Sequence, residues 1–418
     1  MKVTHYSGDS IGGAARAAMR LHNAMQSNKE IESAMIVRVK TNDDWRINVP
    51  YKNQLESTYG QILPFIDRLP ARLQRSKHFI ARSPAWVSAI RAKEINRSEA
   101  DVVHLHWICS GFLSIEEIGK ITKPIVWTMH DMWSFCGAEH LAEEADEARW
   151  RVGYTQASRN HQDRWLDIDR WVWRRKKSAW RKPMHIVTPS RWLAECARSS
   201  ALMRNWDITV VPNMLDTNRY KPIQKQIARE ILGLPLKGQL ILFGAIRGTQ
   251  FSYKGWDLLQ PALIKVATLL PNAQVVIFGQ GEPKDSPSLG MELHWLGHLH
   301  DDATLALLYS AADLIVVPSR QESFGQTGSE AHACGCPIVA FNATGLRDVV
   351  EHGVTGYLAK PYCIDDLANG INWVLEDNVR HARLTVQARE RAIRLWSYDT
   401  VVPQYFEVYR RASSCIVS

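Results

Sequence analysis

Short apolar runs alternate along the chain with segments whose apolar residues recur at helical spacing. In the first half the runs are Val3–Tyr6, Ala34–Arg38, Val102–Trp107, Ile125–Thr128, His185–Pro189 and Ile208–Pro212. In the second half they are Leu240–Ala245, Ala273–Gly279, Leu293–Gly297, Leu314–Pro318, Ile338–Phe341 and Gly356–Ala359. Helical patterns fit between them, for example over Leu305–Ala311 and Gly328–Cys334. This alternation predicts an α/β protein with parallel sheets and crossover helices.

A boundary between two domains is predicted near Asn213–Gln224, where turn-forming Pro and Asn residues follow a strand. A chain of 418 residues is also too long for one hydrophobic core of ordinary size. We therefore predict an N-terminal Rossmann-like domain over 1–215, a C-terminal domain over 216–390, and a final helix over 391–418 that crosses back to the first domain. The expected architecture is two Rossmann-like domains facing one another across a cleft.

Residues 139–182 depart from this rhythm and are interpreted as an insertion in the first domain that ends in a helix. An acidic stretch at Glu143–Glu147 precedes a basic, tryptophan-rich stretch at Trp165–Trp180. Tryptophan and arginine together can stack on sugar faces or on nucleic-acid bases. They can equally pack on the domain, and this plainer interpretation is the favoured one.

Composition adds a basic excess to this picture. The chain is 45% apolar and 22% charged, and its net charge of +8 leaves nucleic acid, anionic lipid and anionic substrates open as partners. No stretch approaches the roughly 20 apolar residues that span a bilayer, and the N-terminus lacks a signal-peptide pattern. Seven scattered cysteines without C-x-x-C spacing argue against a disulfide framework or a zinc site. These features predict a cytoplasmic protein.

The basic excess is concentrated between Gln61 and Ala100, where eight basic residues stand against three acidic ones. Apolar residues such as Leu63, Phe65 and Leu69 are interleaved with them. A basic amphipathic segment of this kind can lie on an anionic membrane surface. A solvated helical face packed on the domain explains the same pattern equally well.

The strongest candidate chemistry follows the predicted strand Leu314–Pro318. Glu322 lies in the polar loop after that strand, a helix is predicted to start near Gly325, and Glu330 falls about one turn into it. Ligands of open α/β sheets bind beyond the carboxyl ends of the strands, and a helix start suits a diphosphate. One carboxylate could then accept hydrogen bonds from ribose hydroxyls while the other contacts a hexose.

Two cations follow the predicted strand Leu240–Ala245. A guanidinium fork at Arg247 and an ammonium at Lys254 can neutralise a nucleoside diphosphate as the bond to the sugar breaks. Standing alone they would be interpreted as solvated loop residues. Their placement beside Glu322 and Glu330 favours the functional interpretation.

The first domain carries a glycine-rich loop and a histidine at strand ends. Ser7–Ala14 follows the first strand and permits close approach to a ligand, although it lacks the G-x-G-x-x-G dinucleotide fingerprint. His130 follows the strand Ile125–Thr128 and is expected to point into the cleft. A lone histidine in such a place is more often structural. His106 is a second candidate, either on the acceptor side or structural.

The spacing of Glu322 and Glu330, in this context, resembles the retaining family-4 glycosyltransferases of GT-B fold. Further landmarks occur in the family's order over nearly the whole chain: Val210–Asp216, Tyr220–Pro222, Arg247, Lys254–Gly255, Phe278–Gly281, Leu296–Gly297, Ala312–Leu314, Gly345 and Glu351–Gly356. The resemblance implies transfer of a hexose from a UDP- or GDP-sugar to a hydroxyl, with retention of configuration. It also implies a glycan or polyprenyl-diphosphate-linked glycan acceptor, in polysaccharide, lipopolysaccharide or capsule biosynthesis.

The resemblance also implies roles for individual residues. The catalytic set is His130, Arg247, Lys254 and Glu322, with His130 against the transferred sugar. The donor-binding set is Gly12, Gly13, Gly279, Leu299, Ser323, Phe324, Gly325, Gln326 and Glu330. The acceptor set is Asp9, His106, Asp131 and Trp133. No cofactor and no essential metal are expected.

The sequence departs from the family pattern in one stretch, and several alternative functions stay open. Relatives often continue after the His-Asp-x-Trp stretch with Thr-Gly-Gly-Cys-His, whereas this chain has Phe135–His140, so Glu139 and His140 are only speculative acceptor contacts. A GT-B epimerase or phosphorylase would use the same fold. The missing fingerprint argues against a nicotinamide-dependent dehydrogenase. A nucleic-acid binder leaves Glu322 and Glu330 unexplained, so no nucleic-acid partner is expected, and the protein is expected in the cytoplasm or at the inner face of the membrane.

Overall fold

A computed structural model describes residues 1–8, 12–26, 30–40, 44–75, 81–159, 164–244, 246 and 248–414. Contacts between Cα atoms divide the chain into two units, Met1–Val211 with Val402–Ser418, and Pro212–Val401. The predicted divisions were after residues 215 and 390. The last helix is divided at Val402, and the part from that residue onward groups with the first unit.

The first unit is built on a seven-stranded parallel sheet with the order β3-β2-β1-β5-β6-β8-β9. Its strands are β1 Lys2–Ser7, β2 Glu32–Val37, β3 Ile47–Asn48, β5 Val102–Leu105, β6 Ile125–Thr128, β8 His185–Thr188 and β9 Ile208–Val210. A separate antiparallel ribbon pairs β4 Gln74–Arg75 with β7 Arg164–Trp165. Because β2 and β5 lie on opposite sides of β1, the carboxyl ends of β1 and β5 form a topological switch point.

Helices of the first unit connect these strands. They are α1 Gly13–Gln26, α2 Gln54–Asp67, α3 Ala92–Arg97, α4 Ile115–Gly119, α5 Arg149–Val152, α6 Ile168–Ala179 and α7 Arg191–Ser199. The last helix, α15 Tyr398–Ser414, belongs to this unit from Val402 onward. Several begin where a side chain caps the helix; Ser190, for example, accepts a hydrogen bond from the backbone N–H of Leu193. Helix α6 lies near the end of residues 139–182, the segment interpreted as an insertion.

The second unit repeats the architecture with a six-stranded parallel sheet of order β12-β11-β10-β13-β14-β15. Its strands are β10 Leu240–Gly244, β11 Gln274–Phe278, β12 Leu293–Trp295, β13 Leu314–Val317, β14 Ile338–Phe341 and β15 Gly356–Ala359. Its helices are α8 Lys225–Leu232, α9 Trp256–Leu269, α10 Asp302–Ala311, α11 Gln326–Ala333, α12 Leu346–Val349, α13 Ile364–Leu375 and α14 Asn378–Trp396. Its switch point lies between β10 and β13.

The twelve predicted strands are confirmed, and the fold is a two-domain Rossmann-like α/β fold of GT-B type. Strands β5, β6, β13 and β14 are buried at every position because helices cover both faces of a parallel sheet. Strands β3, β4 and β7 have two residues each and were not predicted. Within the described ranges, no helix combines the length and apolar character needed to cross a bilayer.

Candidate active site

Lys254 and Glu322 are brought together at the switch point of the second unit. Lys254 follows β10, Glu322 follows β13, and the Lys254 Nζ atom lies 2.5 Å from Glu322 Oε1. The hydroxyl of Ser319 donates to the same oxygen at 3.0 Å. The two side chains remain 21% and 18% exposed, so the pair is sheltered but reachable. The structure therefore places a cation and a carboxylate where open α/β sheets bind ligands.

The turn that carries Lys254 is fixed to the loop after β13 by Arg320. The backbone N–H of Arg320 donates to the Tyr253 carbonyl at 2.8 Å. Its guanidinium forms a bidentate pair with Asp257, with both distances 2.7 Å. Bidentate pairing holds a guanidinium in one orientation. The position of Lys254 therefore depends on both loops.

Charge and backbone contacts fix the loop of Glu322. Burial alone lowers the pKa of Lys254, but the Glu322 carboxylate raises it above its usual value, so the ammonium is charged at neutral pH. The Glu322 backbone N–H donates to Thr344 Oγ1 at 3.2 Å, and the Gly345 N–H donates to the Glu322 carbonyl at 2.9 Å. A Cβ on Gly345 would lie 2.4 Å from the Ser323 carbonyl oxygen, so the close contact requires glycine.

Helix α11 starts immediately after Gly325, as predicted. Gly325 has a φ of 93°, a conformation that glycine adopts without strain. Glu330, in the second turn, is 1% exposed and accepts a hydrogen bond from the Tyr309 hydroxyl at 2.9 Å. Phe324 is buried with its ring 5.8 Å from Trp396, so it supports the loop through packing. The helix presents its N-terminal N–H groups beside the Glu322 loop.

The loops after β10 and β11 are connected by a pair of polar side chains. Thr249 donates its backbone N–H to Gln280 Oε1 at 3.0 Å, and Gln280 Nε2 donates to Thr249 Oγ1 at 2.7 Å. Gly279 has a φ of 91° and donates its N–H to the Gly297 carbonyl at 2.7 Å. Arg247, the other predicted cation, lies outside the described residues.

Three further predicted donor residues lie in the second unit. Ser323 and Gln326 are half-buried, next to Glu322 and at the first position of α11. Leu299, after β12, is half-buried and packs against the core of this unit. Ser323 and Gln326 are thus near the Lys254–Glu322 pair in sequence and fold, whereas the observed role of Leu299 is packing.

Histidines occupy the switch point of the first unit. In the parallel pairing of β1 and β5, His5 is opposite His104, and His106 lies two residues further along on the same face. His5 Nδ1 lies 3.0 Å from His106 Nε2, and His106 Nδ1 lies 3.2 Å from His130 Nε2. The structure therefore brings together His106 and His130, both predicted, with His5, which was not.

His104 completes this cluster by stacking. Its ring centroid lies 4.2 Å from that of His106. Its Nδ1 pairs with the Tyr409 hydroxyl at 2.7 Å and its Nε2 with Thr128 Oγ1 at 2.8 Å. Among the described residues, His5, His104 and His106 are the one group close enough to hold a metal ion. Both nitrogens of His104 and both nitrogens of His106 are engaged with hydroxyls or with other histidines, so the geometry favours packing.

Asp131, a predicted acceptor residue, pairs with the side chain of His140. His140 Nδ1 lies 2.7 Å from Asp131 Oδ2, and the Trp133 N–H donates to Asp131 Oδ1 at 2.9 Å. Burial raises the pKa of Asp131, but these contacts, led by His140, bring it below its usual value. Trp133 is only 2% exposed and its indole N–H donates to the Ser83 carbonyl at 2.8 Å. The structure thus shows a packing role for Trp133, and its contact with an acceptor stays a prediction.

The glycine-rich loop is only partly described. The Gly8 N–H donates to the Trp107 carbonyl at 2.5 Å, which ties the end of β1 to the end of β5. Gly12 has a φ of 97° and Gly13 is the first residue of α1. Asp9, a predicted acceptor residue, lies outside the described residues.

The tryptophan-rich insertion packs on the first unit, as its plainer interpretation held. Trp150 and Trp180 are buried, and Lys176 is fully buried, donating to the carbonyls of Cys136 and Gly137 at 3.1 and 2.7 Å. Glu139 is also buried, and the Tyr154 hydroxyl donates to it. Glu139 therefore lies in the packed interior, and an acceptor contact for it stays a prediction. Trp165 and Trp171 remain exposed.

Known protein families match both parts of the chain. The family described as Glycosyltransferase Family 4 matches residues 11–219, and Glycosyl transferases group 1 matches residues 224–391. A D-inositol 3-phosphate glycosyltransferase of Xylanimonas cellulosilytica is 30% identical over 79% of this chain and 76% of its own length. The one of Mycobacterium leprae is 27% identical over 75% and 69%.

Solved structures show the same fold at low sequence identity. Sucrose-phosphate synthase of Thermosynechococcus elongatus superposes with a TM-score of 0.68, at 19% identity over 99% of both chains. HepE of Anabaena, solved in complex with UDP-glucose, superposes with a TM-score of 0.65, at 19% identity over 99% of this chain and 100% of the other.

Proposed function

Because the chain belongs to the group 1, family-4 glycosyltransferases, we propose that it transfers a hexose from a UDP- or GDP-sugar to a hydroxyl of a glycan or lipid-linked glycan, with retention of configuration. Glycosyltransferase activity follows from family membership, and the donor, the acceptor and the stereochemistry are the proposal. The observation that carries it is the Lys254–Glu322 pair at the switch point of the second unit, beside the start of α11.

The donor is bound chiefly through its charge. Lys254, the N–H groups at the start of α11 and, in this proposal, Arg247 stabilise the diphosphate. Glu322 binds hexose hydroxyls in the loop, and Glu330 binds the ribose. Complexes of the structural neighbour HepE with UDP and with UDP-glucose support a uridine nucleotide over a guanosine one.

Transfer proceeds without a covalent sugar–enzyme intermediate. The bond between the anomeric carbon and the diphosphate oxygen breaks, and its electron pair stays on the diphosphate. The acceptor oxygen attacks from the same face and its proton passes to a diphosphate oxygen. Charge develops on the leaving group, so fixed cations stabilise the transition state more than the ground state. We propose that no metal ion is required, because Lys254, Arg247 and the helix N-terminus supply that charge.

A lipid-linked acceptor at an anionic membrane is supported by one surface of the first unit. Apolar residues of α2, the following turn and the β7 strand end are exposed: Leu55, Tyr59, Ile62, Phe65, Leu69, Leu73, Trp165 and Leu166. The Leu166 N–H donates to the Leu73 carbonyl at 3.3 Å, so the two segments adjoin. Exposed Arg68 and Arg72 lie among them. Exposed apolar residues with flanking arginines suit an anionic interface and fit peripheral work in polysaccharide, lipopolysaccharide or capsule biosynthesis.

The direct test is binding and slow hydrolysis of a panel of UDP- and GDP-sugars, with Glu322→Ala and Lys254→Ala as variants. We expect the wild type to hydrolyse one nucleotide sugar and both variants to lose this activity. Lys265→Ala is the matched control, because it removes an exposed ion pair with Asp365 on the same unit and should change nothing. Failure to bind any nucleotide sugar at about 1 mM would refute the proposal. Interconversion of nucleotide sugars without acceptor would indicate an epimerase, and a requirement for phosphate would indicate a phosphorylase.

A further inference from the structure

Three imidazoles on neighbouring strands of the first sheet form one hydrogen-bond chain. His5 lies in β1, His106 directly follows β5, and His130 lies two residues after β6. The chain runs from His5 Nδ1 to His106 Nε2 over 3.0 Å and from His106 Nδ1 to His130 Nε2 over 3.2 Å. Both distances are those of hydrogen bonds, so each contact needs one protonated and one unprotonated nitrogen.

All three rings are neutral at physiological pH. Burial lowers the pKa of His5 and of His106 far below the usual value, and neighbouring histidines lower them further. Burial lowers the pKa of His130 to about 4, against a smaller opposite effect of Asp131. A neutral imidazole carries one N–H and one lone pair. The protons of the chain must therefore all point in the same direction.

The His5 end of this hydrogen-bond chain selects the direction of the protons. His5 Nε2 is buried and has no hydrogen-bond partner among the described residues. If the protons pointed from His130 toward His5, this atom would be a buried N–H without an acceptor, which is rare in folded proteins. If they point from His5 toward His130, the same atom is only an unused lone pair. The second arrangement is the one that avoids the orphaned donor.

We propose that His5 and His106 are positioning residues that hold His130 in the Nδ1–H tautomer. The Nε2 lone pair of His130 then accepts the His106 N–H, and the ring offers only a donor, at Nδ1. His130 acts on the substrate as a neutral hydrogen-bond donor to a hydroxyl oxygen and not as a general base. This inference rests on the proposed function, in which the diphosphate takes the acceptor proton.

His104 packs against the hydrogen-bond chain of histidines but is not one of its members. Both of its nitrogens are engaged, by Tyr409 and Thr128, and its ring stacks on His106 at 4.2 Å and lies 4.9 Å from His5. A stacked neighbour on one side limits rotation of the His106 ring. Rotation of that ring would replace Nδ1 by a carbon atom and break the contact with His130.

The tautomer can be read directly from two-bond ¹H–¹⁵N correlations of the full-length protein labelled with ¹⁵N-histidine. In the wild type at pH 7 we expect His130 and His106 as Nδ1–H tautomers. His106→Asn places an amide N–H near the position of Nδ1, so it should preserve the His130 tautomer and keep turnover within about threefold. His106→Leu removes the donor, should populate the other tautomer of His130, and should lower kcat about tenfold, as for one lost hydrogen bond, with little change in KM for the nucleotide sugar.

His22→Asn is the control, since His22 is a buried histidine outside the chain that pairs with Ser33. It should leave the His130 signals unchanged. An Nε2–H tautomer or an imidazolium at His130 in the wild type overturns the inference, and that measurement needs no variant to fold. An unchanged His130 tautomer in a folded His106→Leu variant overturns it as well. If the wild-type tautomer is as expected but no UDP- or GDP-sugar shifts the His130 signals, the positioning holds and the proposed function fails.

Discussion

Gly255 lies against the carbonyl of Pro318 so closely that a Cβ on residue 255 would stand 1.9 Å from that oxygen. Gly255 also has a φ of 74°, a conformation that is strained for other residues. The residue follows Lys254 directly and Pro318 follows β13, so this contact brings the lysine to the Glu322 loop. Absence of a side chain at position 255 is therefore a condition for the Lys254–Glu322 pair.

Gly255→Ala should consequently impair the donor site through geometry. We expect it to lower nucleotide-sugar hydrolysis by at least tenfold and stability by about 1–3 kcal/mol, because the backbone must move away from Pro318. Gly353→Ala separates the two causes: Gly353 has a φ of 75° but open space around the added Cβ. The Gly353→Ala control should lose a similar amount of stability because of its positive φ, and it should keep full activity. Hydrolysis is measured for each variant beside its free energy of unfolding, which comes from denaturation curves. An equal loss of hydrolysis in both variants would show that the close contact with Pro318 does not position Lys254.

Glu322→Ala and Lys254→Met should reduce transfer far more than folding. Loss of one preorganised charge at a reacting centre costs on the order of 100-fold in kcat. The pair is about one-fifth exposed, so water can solvate the partner left behind, and we expect a stability change of less than about 2 kcal/mol. Lys254→Arg tests whether charge alone suffices and should recover only part of the activity, since a planar fork fills the space differently. An unimpaired kcat in Glu322→Ala would contradict the assignment.

The strands were predictable because a parallel strand covered on both faces is a continuous apolar run, as in Val102–Leu105 and Leu314–Val317. The two-residue strands Ile47–Asn48 and Gln74–Arg75 carry too few residues for any pattern. Glu322 and Lys254 could be placed because each lies in the segment between the carboxyl end of a strand and the start of the next helix. Their 2.5 Å contact depends on which strands are neighbours, which the sequence does not state.

Two features of the first unit could not be predicted from the sequence: the contact between His5 and His106, and the burial of Trp133. His104 and His106 are two residues apart at the end of β5, a signal that both lie on one face, but the partner His5 is 101 residues away from His106. His5 and His106 meet only because β1 and β5 are neighbours in the sheet. The resemblance to the family implies an acceptor contact for Trp133, and in the structure its side chain lies in the core against Lys176, whose Nζ atom is 3.6 Å from the ring centroid.

The exposed apolar surface of the first unit should bind anionic vesicles. Leu55 and Phe65 are 84% and 70% exposed, so replacing both with serine should leave folding unchanged and weaken sedimentation with vesicles of mixed neutral and anionic lipid by about tenfold. Val379→Ser is the control, since Val379 is 82% exposed on the second unit and should have no effect. High salt should weaken binding by screening Arg68 and Arg72. Equal binding of the double variant and the wild type would exclude this surface as the docking face.

Glu139 should make the stability of the protein fall as pH rises from acid toward neutral. Burial, with a contribution from the nearby Asp169, raises the pKa of Glu139 to about 8, whereas an unfolded glutamate has a pKa near 4.5. The protonated carboxyl is thus favoured in the folded state, and its stabilising contribution is complete below about pH 4.5 and declines as pH rises toward 8.

Lys176 has the opposite effect on stability at higher pH. Burial lowers its pKa to about 7 from 10.5, so its contribution to folding stability increases as pH rises from about 7 to 10.5. The window between about pH 5 and 7 therefore reports mainly on Glu139. Urea denaturation of Glu139→Gln should show a smaller loss of stability between pH 5 and 7 than the wild type does, because glutamine mimics the protonated carboxyl at both pH values. Glu144→Gln, an exposed acid of the same insertion, should behave as the wild type. A Glu139→Gln variant with the same pH dependence as the wild type would mean that Glu139 is already ionised in the folded protein at pH 5, held by the buried Lys176 ammonium.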